Sequence, residues 1–312
     1  MTPTWPSAAV TEGSPPGTAP THLDEGTATP VPAIQRQERF VSVPSTNDVV
    51  RGWLEDGEPE ICLALADEQT AGRGRAGRTW TAPPGAGLLL SLGFRPTWLP
   101  ADRAWRLAAT ASLAMADAAE EAAGLPDRAI RLKWPNDLVI AVDPAGRALD
   151  PLGLDADLGR AAVRKLGGVL GETVGLGTID PQVVVGIGLN ADWPSTEFPA
   201  ELAGIMTSLR AASGERPVDP SALLDAFTSR LETRIEALHG GRFDVADWVD
   251  RQVTTGREVE LVGPDGGTHV VLARGVDAVS GALRIAAPTA GDPDAERHVH
   301  VGEIRHVRLA GV

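Results

Sequence analysis

The sequence predicts an α+β protein that ends in a small β-barrel. Up to about Val253, apolar strand-like runs are interleaved with long stretches of helical spacing; beyond it, only short apolar runs remain, separated by turn residues. A chain of 312 residues with 43% hydrophobic and 22% charged content is also large enough for two ordinary domains.

Residues 1–35 are rich in Pro, Thr, Ala and Gly with few large apolar groups. Such a segment buries too little surface to offset its ordering entropy, so it is expected to be a disordered leader, and it shows no helix-turn-helix pattern. Arg39–Val43 has the pattern of a short strand. Ser45 followed by Asp48 resembles a capping box, with Val49, Val50, Trp53 and Leu54 as the apolar face of a helix that Gly57 ends. Ile61–Ala66 and Gly87–Phe94 are expected strands on either side of a glycine-rich loop, and an Ala- and Leu-rich helix runs from Asp102 to about Glu121.

In Ile130–Val142, alternation puts Arg131 and Lys133 on one side of a strand and Leu132 and Trp134 on the other. Pro135-Asn136-Asp137 makes a bend before Leu138–Val142 resumes. Residues 143–164 read as an irregular loop inserted between two strands. Lys165–Glu172 and Gln182–Asn190 follow as strands of little bulk, with Gly186 and Gly188 opening one face of the second. Asp219-Pro220 starts a helix carrying Leu223, Leu224, Phe227, Leu231, Ile235 and Leu238 on one face and stopping at Gly240-Gly241. The barrel strands are expected at Glu258–Val262, Thr268–Ala273, Ala282–Ala286, His298–Val301 and Val307–Leu309.

A net charge of -14 argues against a general nucleic-acid binder. The single cysteine, Cys62, lies in an apolar run and reads as a buried structural thiol rather than a nucleophile. No apolar stretch is long enough for a bilayer and no signal-peptide core is present, so a reducing cytoplasm is the expected compartment.

Against this acidic background, the segment Gln69–Trp80 (QTAGRGRAGRTW) concentrates Arg73, Arg75 and Arg78 among glycines. Guanidinium forks match phosphate or carboxylate, and glycines let backbone approach a ligand, so the loop points to an anion site. Gly72, Gly74 and Gly77 spell a dinucleotide fingerprint, but the chain continues into Ala82-Pro83-Pro84-Gly85, which cannot open the helix that fingerprint requires. Ser45, Thr46 and Asn47 are both a helix cap and a compact polar cluster suited to a polar ligand. Lys133 at a strand end beside the loop is a natural point charge for a reacting phosphoryl group. His298, His300, Glu303 and His306 invite a metal, but no second set of ligands has suitable spacing and no metal site is expected.

Taken in order, Ser45-Thr-Asn, Gln69-x-x-Gly-Arg-Gly-Arg-x-Gly-Arg-x-Trp, Lys133-Trp-Pro-Asn-Asp, Lys165-Leu-Gly-Gly-Val-Leu and Gly186-Ile-Gly-Leu-Asn190 resemble the signatures of biotin protein ligases. The likeness runs from about Val41 to the C-terminus. It implies a mixed-sheet catalytic domain of the biotin/lipoate ligase type, like the class II aminoacyl-tRNA synthetases, over residues 36–252. An SH3-like barrel over 253–312 would follow. It also implies two half-reactions: biotin and MgATP give biotinyl-5′-AMP, and a lysine on the carrier domain of an acyl-CoA carboxylase then takes the biotinyl group.

In that resemblance Lys133, Arg73 and Arg75 are catalytic. Ser45, Thr46, Asn47, Gln69, Gly74, Gly186 and Gly188, with those three, bind biotin. Arg75, Arg78, Trp80, Asn136, Lys165 and Asn190 bind the adenylate. ATP and biotin are substrates, with Mg2+. The carrier domain is the partner, DNA and membrane are not, and the chain is a monomer or weak homodimer. The form resembled is the monofunctional one, without the N-terminal winged helix-turn-helix domain. A lipoate or octanoate enzyme on the same fold, and a non-catalytic biotin- or nucleotide-binding regulator, are the alternatives.

Overall fold

The computed structural model describes residues 34–149, 162–263, 266–289, 292–301 and, for the backbone alone, 306–309. The expected leader, apart from Ile34 and Gln35, and the middle of the expected insertion, 150–161, lie outside the described residues.

Seven strands form one sheet: β1 Arg36–Val43, β2 Cys62–Gln69, β3 Gly87–Phe94, β4 Ile130–Lys133, β5 Asp137–Val142, β6 Ala162–Val174 and β7 Gln182–Asn190. Their order is β1-β2-β3-β7-β6-β5-β4. Only β1 and β2 run parallel, so the sheet is mixed. Ala162–Arg164, expected in the loop, already belongs to β6 and pairs with β5.

Alternation along the strands sorts side chains onto two faces. On one, helix α1 (Thr46–Glu55) packs Val50, Trp53 and Leu54 against Cys62, Ala64 and Val184. On the other lies the main core: Leu63, Leu65, Leu90, Leu92, Val185 and Ile187 meet helices α2 (Trp105–Ala123) and α4 (Pro220–His239). The helix face read from sequence for α4 is buried except at Leu224, which is partly buried. Two short helices, α3 (Leu209–Ala212) and α5 (Val245–Asp250), were not legible as periodic patterns because each spans less than two turns.

Beyond α5, the backbone of residues 251–253 runs alongside β4. Leu132 N–H donates to Arg251 O and Val253 N–H to Leu132 O, each at 2.8 Å. Here Arg251, 2% exposed, meets Asp117, Glu120 and Asp247 in ion pairs of 2.7 to 3.1 Å. Burial opposes the Arg251 charge, but these three carboxylates hold its pKa above the usual value.

The chain then forms a five-stranded antiparallel sheet: β8 Glu258–Val262, β9 Thr268–Val276, β10 Leu283–Ala286, β11 Glu296–Val299 and β12 His306–Leu309, ordered β11-β10-β9-β8-β12. Strand β11 sits two residues earlier than expected, because its register is set by pairing Leu283 with Val299.

Candidate active site

On the α1 face, one cavity of about 110 Å3 is lined by all but one of the residues that the sequence assigns to biotin or the adenylate. At one end are neutral polar groups. Thr46 donates from N–H (2.8 Å) and Oγ1 (3.2 Å) to Gln69 Oε1, which ties the start of α1 to the end of β2. Ser91 Oγ donates to Asn47 Oδ1 (2.6 Å) and lies 2.7 Å from Thr46 Oγ1. Ser45, Thr46, Asn47 and Ser91 are all buried. The buried Asn47 Nδ2 has no protein partner, and an unsatisfied buried donor is costly unless something else accepts from it.

Gly186 and Gly188 were expected to leave the sheet open. In the structure, protein side chains cover them: a Cβ on Gly186 would overlap Asn47 Oδ1, and one on Gly188 would lie 2.6 Å from the Trp80 indole. Trp80 Nε1 is a second buried donor without a protein partner.

At the other end are charges. Lys133 Nζ lies 3.1 Å from Asp137 Oδ2 and Lys165 Nζ 2.6 Å from Asp137 Oδ1. Burial pushes the Asp137 carboxyl up, but the ammonium groups of Lys165 and Lys133 outweigh it and hold its pKa below the usual range. Lys133 faces Asp137 directly across the β4–β5 hairpin. Lys165 gets there through a β-bulge: Leu138 pairs with Gly167 but Val139 with Lys165, leaving Leu166 as the extra residue. The bulge sends Leu166 into the main core and Lys165 into the cavity, and the Lys165 side chain is 38% exposed against 16% for Lys133. Lys165 Nζ also sits 5.6 Å from the centre of the Trp80 ring. Asn136 is pinned to β6, donating from Nδ2 to Val169 O at 2.9 Å.

The arginine loop closes over this floor as a small hairpin. Arg73 bridges Thr79, Gly74 N–H donates to Arg78 O at 2.7 Å and Trp80 N–H to Gly72 O at 2.9 Å. Arg73 is held by Asp48 through two hydrogen bonds of 2.7 and 2.8 Å, and by Glu172 at 3.3 Å; these partners raise its pKa. Arg51 also pairs with both carboxylates. Asp48 is therefore an arginine clamp rather than part of a capping box, and Ser45 makes no side-chain cap bond. Arg75 is different: its Nη2 donates to Val301 O at 2.9 Å, and burial pushes its pKa down.

The exception is Asn190. It is buried outside the cavity, and its Nδ2 donates to Thr207 O at 2.9 Å, so it anchors the segment after β7. Sequence reading gave no place in the site to Asp137, Glu172 or Ser91, and read Asp48 only as part of a helix cap. Asp137 was within reach, because the register of a hairpin sets it opposite Lys133. Among the described residues, no group of three His, Cys, Asp or Glu is arranged to hold a metal ion. Glu303 lies outside them, and His306 is described by its backbone alone.

A mixed sheet with a cation-rich cavity beneath an arginine loop defines a class. The profile of the Biotin/lipoate A/B protein ligase family matches residues 40–190, and the chain belongs to that family. It is 31% identical over 235 residues to the biotin--[acetyl-CoA-carboxylase] ligase of Mycobacterium tuberculosis, covering 75% of this chain and 77% of that one. It is 34% identical over 192 residues to the bifunctional ligase/repressor BirA of Bacillus spizizenii, covering 62% of this chain but only 51% of the relative, about half its length. Among solved structures, the biotin protein ligase from Aquifex aeolicus in complex with biotin and ATP is similar in fold, at 23% identity and a TM-score of 0.66. That likeness covers 89% of this chain and 100% of the other.

Proposed function

We propose that this chain activates biotin with MgATP and transfers it to a lysine of a biotin carboxyl carrier domain. The observation that carries this reading is one cavity with a buried neutral polar end and, at its other end, two ammonium groups gathered by Asp137 under an arginine loop. The neutral end suits the ureido group of biotin, whose carbonyl would accept from the unpaired Asn47 Nδ2. The carboxylate would then reach toward Lys133 and Lys165.

In the first step the carboxylate attacks the α-phosphorus and pyrophosphate leaves. In the second, a lysine amine attacks the acyl carbon and AMP leaves. The nucleophile comes from the substrate each time, so the enzyme has to supply position and charge compensation. Lys133, Lys165, Arg75 and Arg78 provide the charge, and Asp137 keeps the two lysines apart and aimed. Lys165, the more exposed of the pair, has the freer reach to the reacting oxygens. The Asp137 carboxylate is committed to two ammonium groups, so Mg2+ would come as part of the MgATP substrate and add to the positive charge that the lysines supply. A cavity of about 110 Å3 is small for such a ligand, so the loop would lift for binding and close afterwards, shielding the mixed anhydride from water.

Residues 36–252 would form the catalytic domain and 253–312 an SH3-like barrel. The test is pyrophosphate release from biotin and MgATP, followed by mass detection of a biotinylated carrier domain. Lipoate, offered in biotin's place, should release none; absence of pyrophosphate with biotin overturns the reading.

A further inference from the structure

The turn Asp277–Ala282, between β9 and β10, reaches out of the C-terminal sheet into the catalytic half. Its own shape is fixed by Asp277, whose Oδ1 accepts from Ser280 N–H (2.7 Å), Ser280 Oγ (2.6 Å) and Val279 N–H (3.2 Å). Arg106 donates to Ala278 O and the Trp105 indole to Val279 O, both at 3.2 Å, which seats the turn on the first residues of α2. Gly281 has φ +72° and packs so closely on Trp105 that a Cβ would lie 2.7 Å from the indole.

The next carbonyl is the informative one. Gly281 O accepts from Trp134 Nε1 at 2.9 Å. Trp134 is 2% exposed and sits at the tip of the β4–β5 hairpin, directly after Lys133 and three residues before Asp137. Asn136 fixes the other side of that tip to β6. A lysine–carboxylate pair at a hairpin tip moves with the tip, and rotation about one unfastened side would carry both charges away from the reacting oxygens.

We propose that the C-terminal sheet takes part in adenylation through this contact, with Trp134 as a positioning residue that transmits the place of the Asp277–Ala282 turn to Lys133 and Asp137. The inference rests on the function proposed above. Trp134 touches no substrate in it; the indole acts by holding its neighbours.

The experiment uses the full chain and Trp134→Phe, which keeps an apolar ring but removes the N–H. With saturating biotin and MgATP, kcat for pyrophosphate release should fall about tenfold to a hundredfold, as small misplacements of reacting groups do, while the Kd for biotin alone stays within about twofold. Gly281→Ala approaches the same link from the other side, by pushing the turn off Trp105. It should give the same split, and the double variant should fall no further than the worse single one. An unchanged kcat in Trp134→Phe overturns the proposal. So do single effects that multiply in the double variant, or a kcat loss that matches a loss of folded protein by circular dichroism. If the wild-type chain itself releases no pyrophosphate, the proposed function has failed rather than this inference.

Discussion

At one end of the cavity Thr46, Asn47, Ser91 and Gln69 meet as neutral, largely buried groups whose bonds to one another leave the Asn47 Nδ2 donor unmet. At the other, Lys133 and Lys165 pair with a single carboxylate, Asp137, and Arg75 and Arg78 line the same cavity. The first end can discriminate, because a ligand that lacks the right acceptor leaves a buried donor unpaired. The second stabilises whatever negative charge arrives and says little about its shape. On the proposed function, recognition and chemistry are separated along one sheet face, and variants at the two ends should separate Kd from kcat.

The largest effect is expected at the charged end. Lys165→Ala and Lys133→Ala should each lower pyrophosphate release by about a hundredfold or more, as loss of a preorganised charge does, with a much smaller rise in the Kd for biotin measured by calorimetry. A Kd that moves as much as kcat in either variant would erase the proposed division. Next comes Gly186→Ala, whose methyl would displace the Asn47 amide. Biotin should bind roughly tenfold to a hundredfold more weakly, in line with a buried hydrogen-bond site left mismatched, while kcat at saturation holds. Smaller again is the lid. The Arg73–Asp48 pair is 37% and 42% exposed, and pairs of that kind contribute about 1 kcal/mol or less. Asp48→Asn should therefore speed release of the adenylate by only about fivefold or less in a chase experiment.

The smallest effect is in acid. The folded pKa of Asp137 lies below its ordinary 3.8, so the carboxylate's contribution to stability is complete above that value and is lost as pH falls through the lower folded value. The stability gap between the wild-type chain and Asp137→Asn, read from denaturant melts, should narrow only below pH 3.8. A gap that is constant with pH would mean that the two lysines do not set the Asp137 charge.

The sequence showed the charged end more fully than the neutral one, for physical reasons. Arginines among glycines and a lysine at a strand end are visible locally, because composition alone sets their chemistry. Ser91 was invisible, since it sits 44 residues from Asn47 in an apolar strand and gains meaning only when β3 lies beside α1. Glu172, 99 residues from Arg73, was missed for the same reason. The face Lys165 occupies was hidden by the bulge at Leu166, which breaks the strict alternation that sequence reading assumes. Asn190 was misleading because its place in a motif says nothing about which way its amide turns. Strand extents read well at Gly87–Phe94 and Gln182–Asn190, where glycine or a polar residue marks a limit.

The backbone of residues 251–253 serves as an eighth, short rail beside β4, and Arg251 beneath it pairs with three acids. Anyone trimming this protein to its larger half would therefore be unwise to cut before residue 251. That scissor point would strip a sheet margin of its neighbour, take from the buried Glu120 its guanidinium partner, and leave Arg234 to face Asp117 and Asp247.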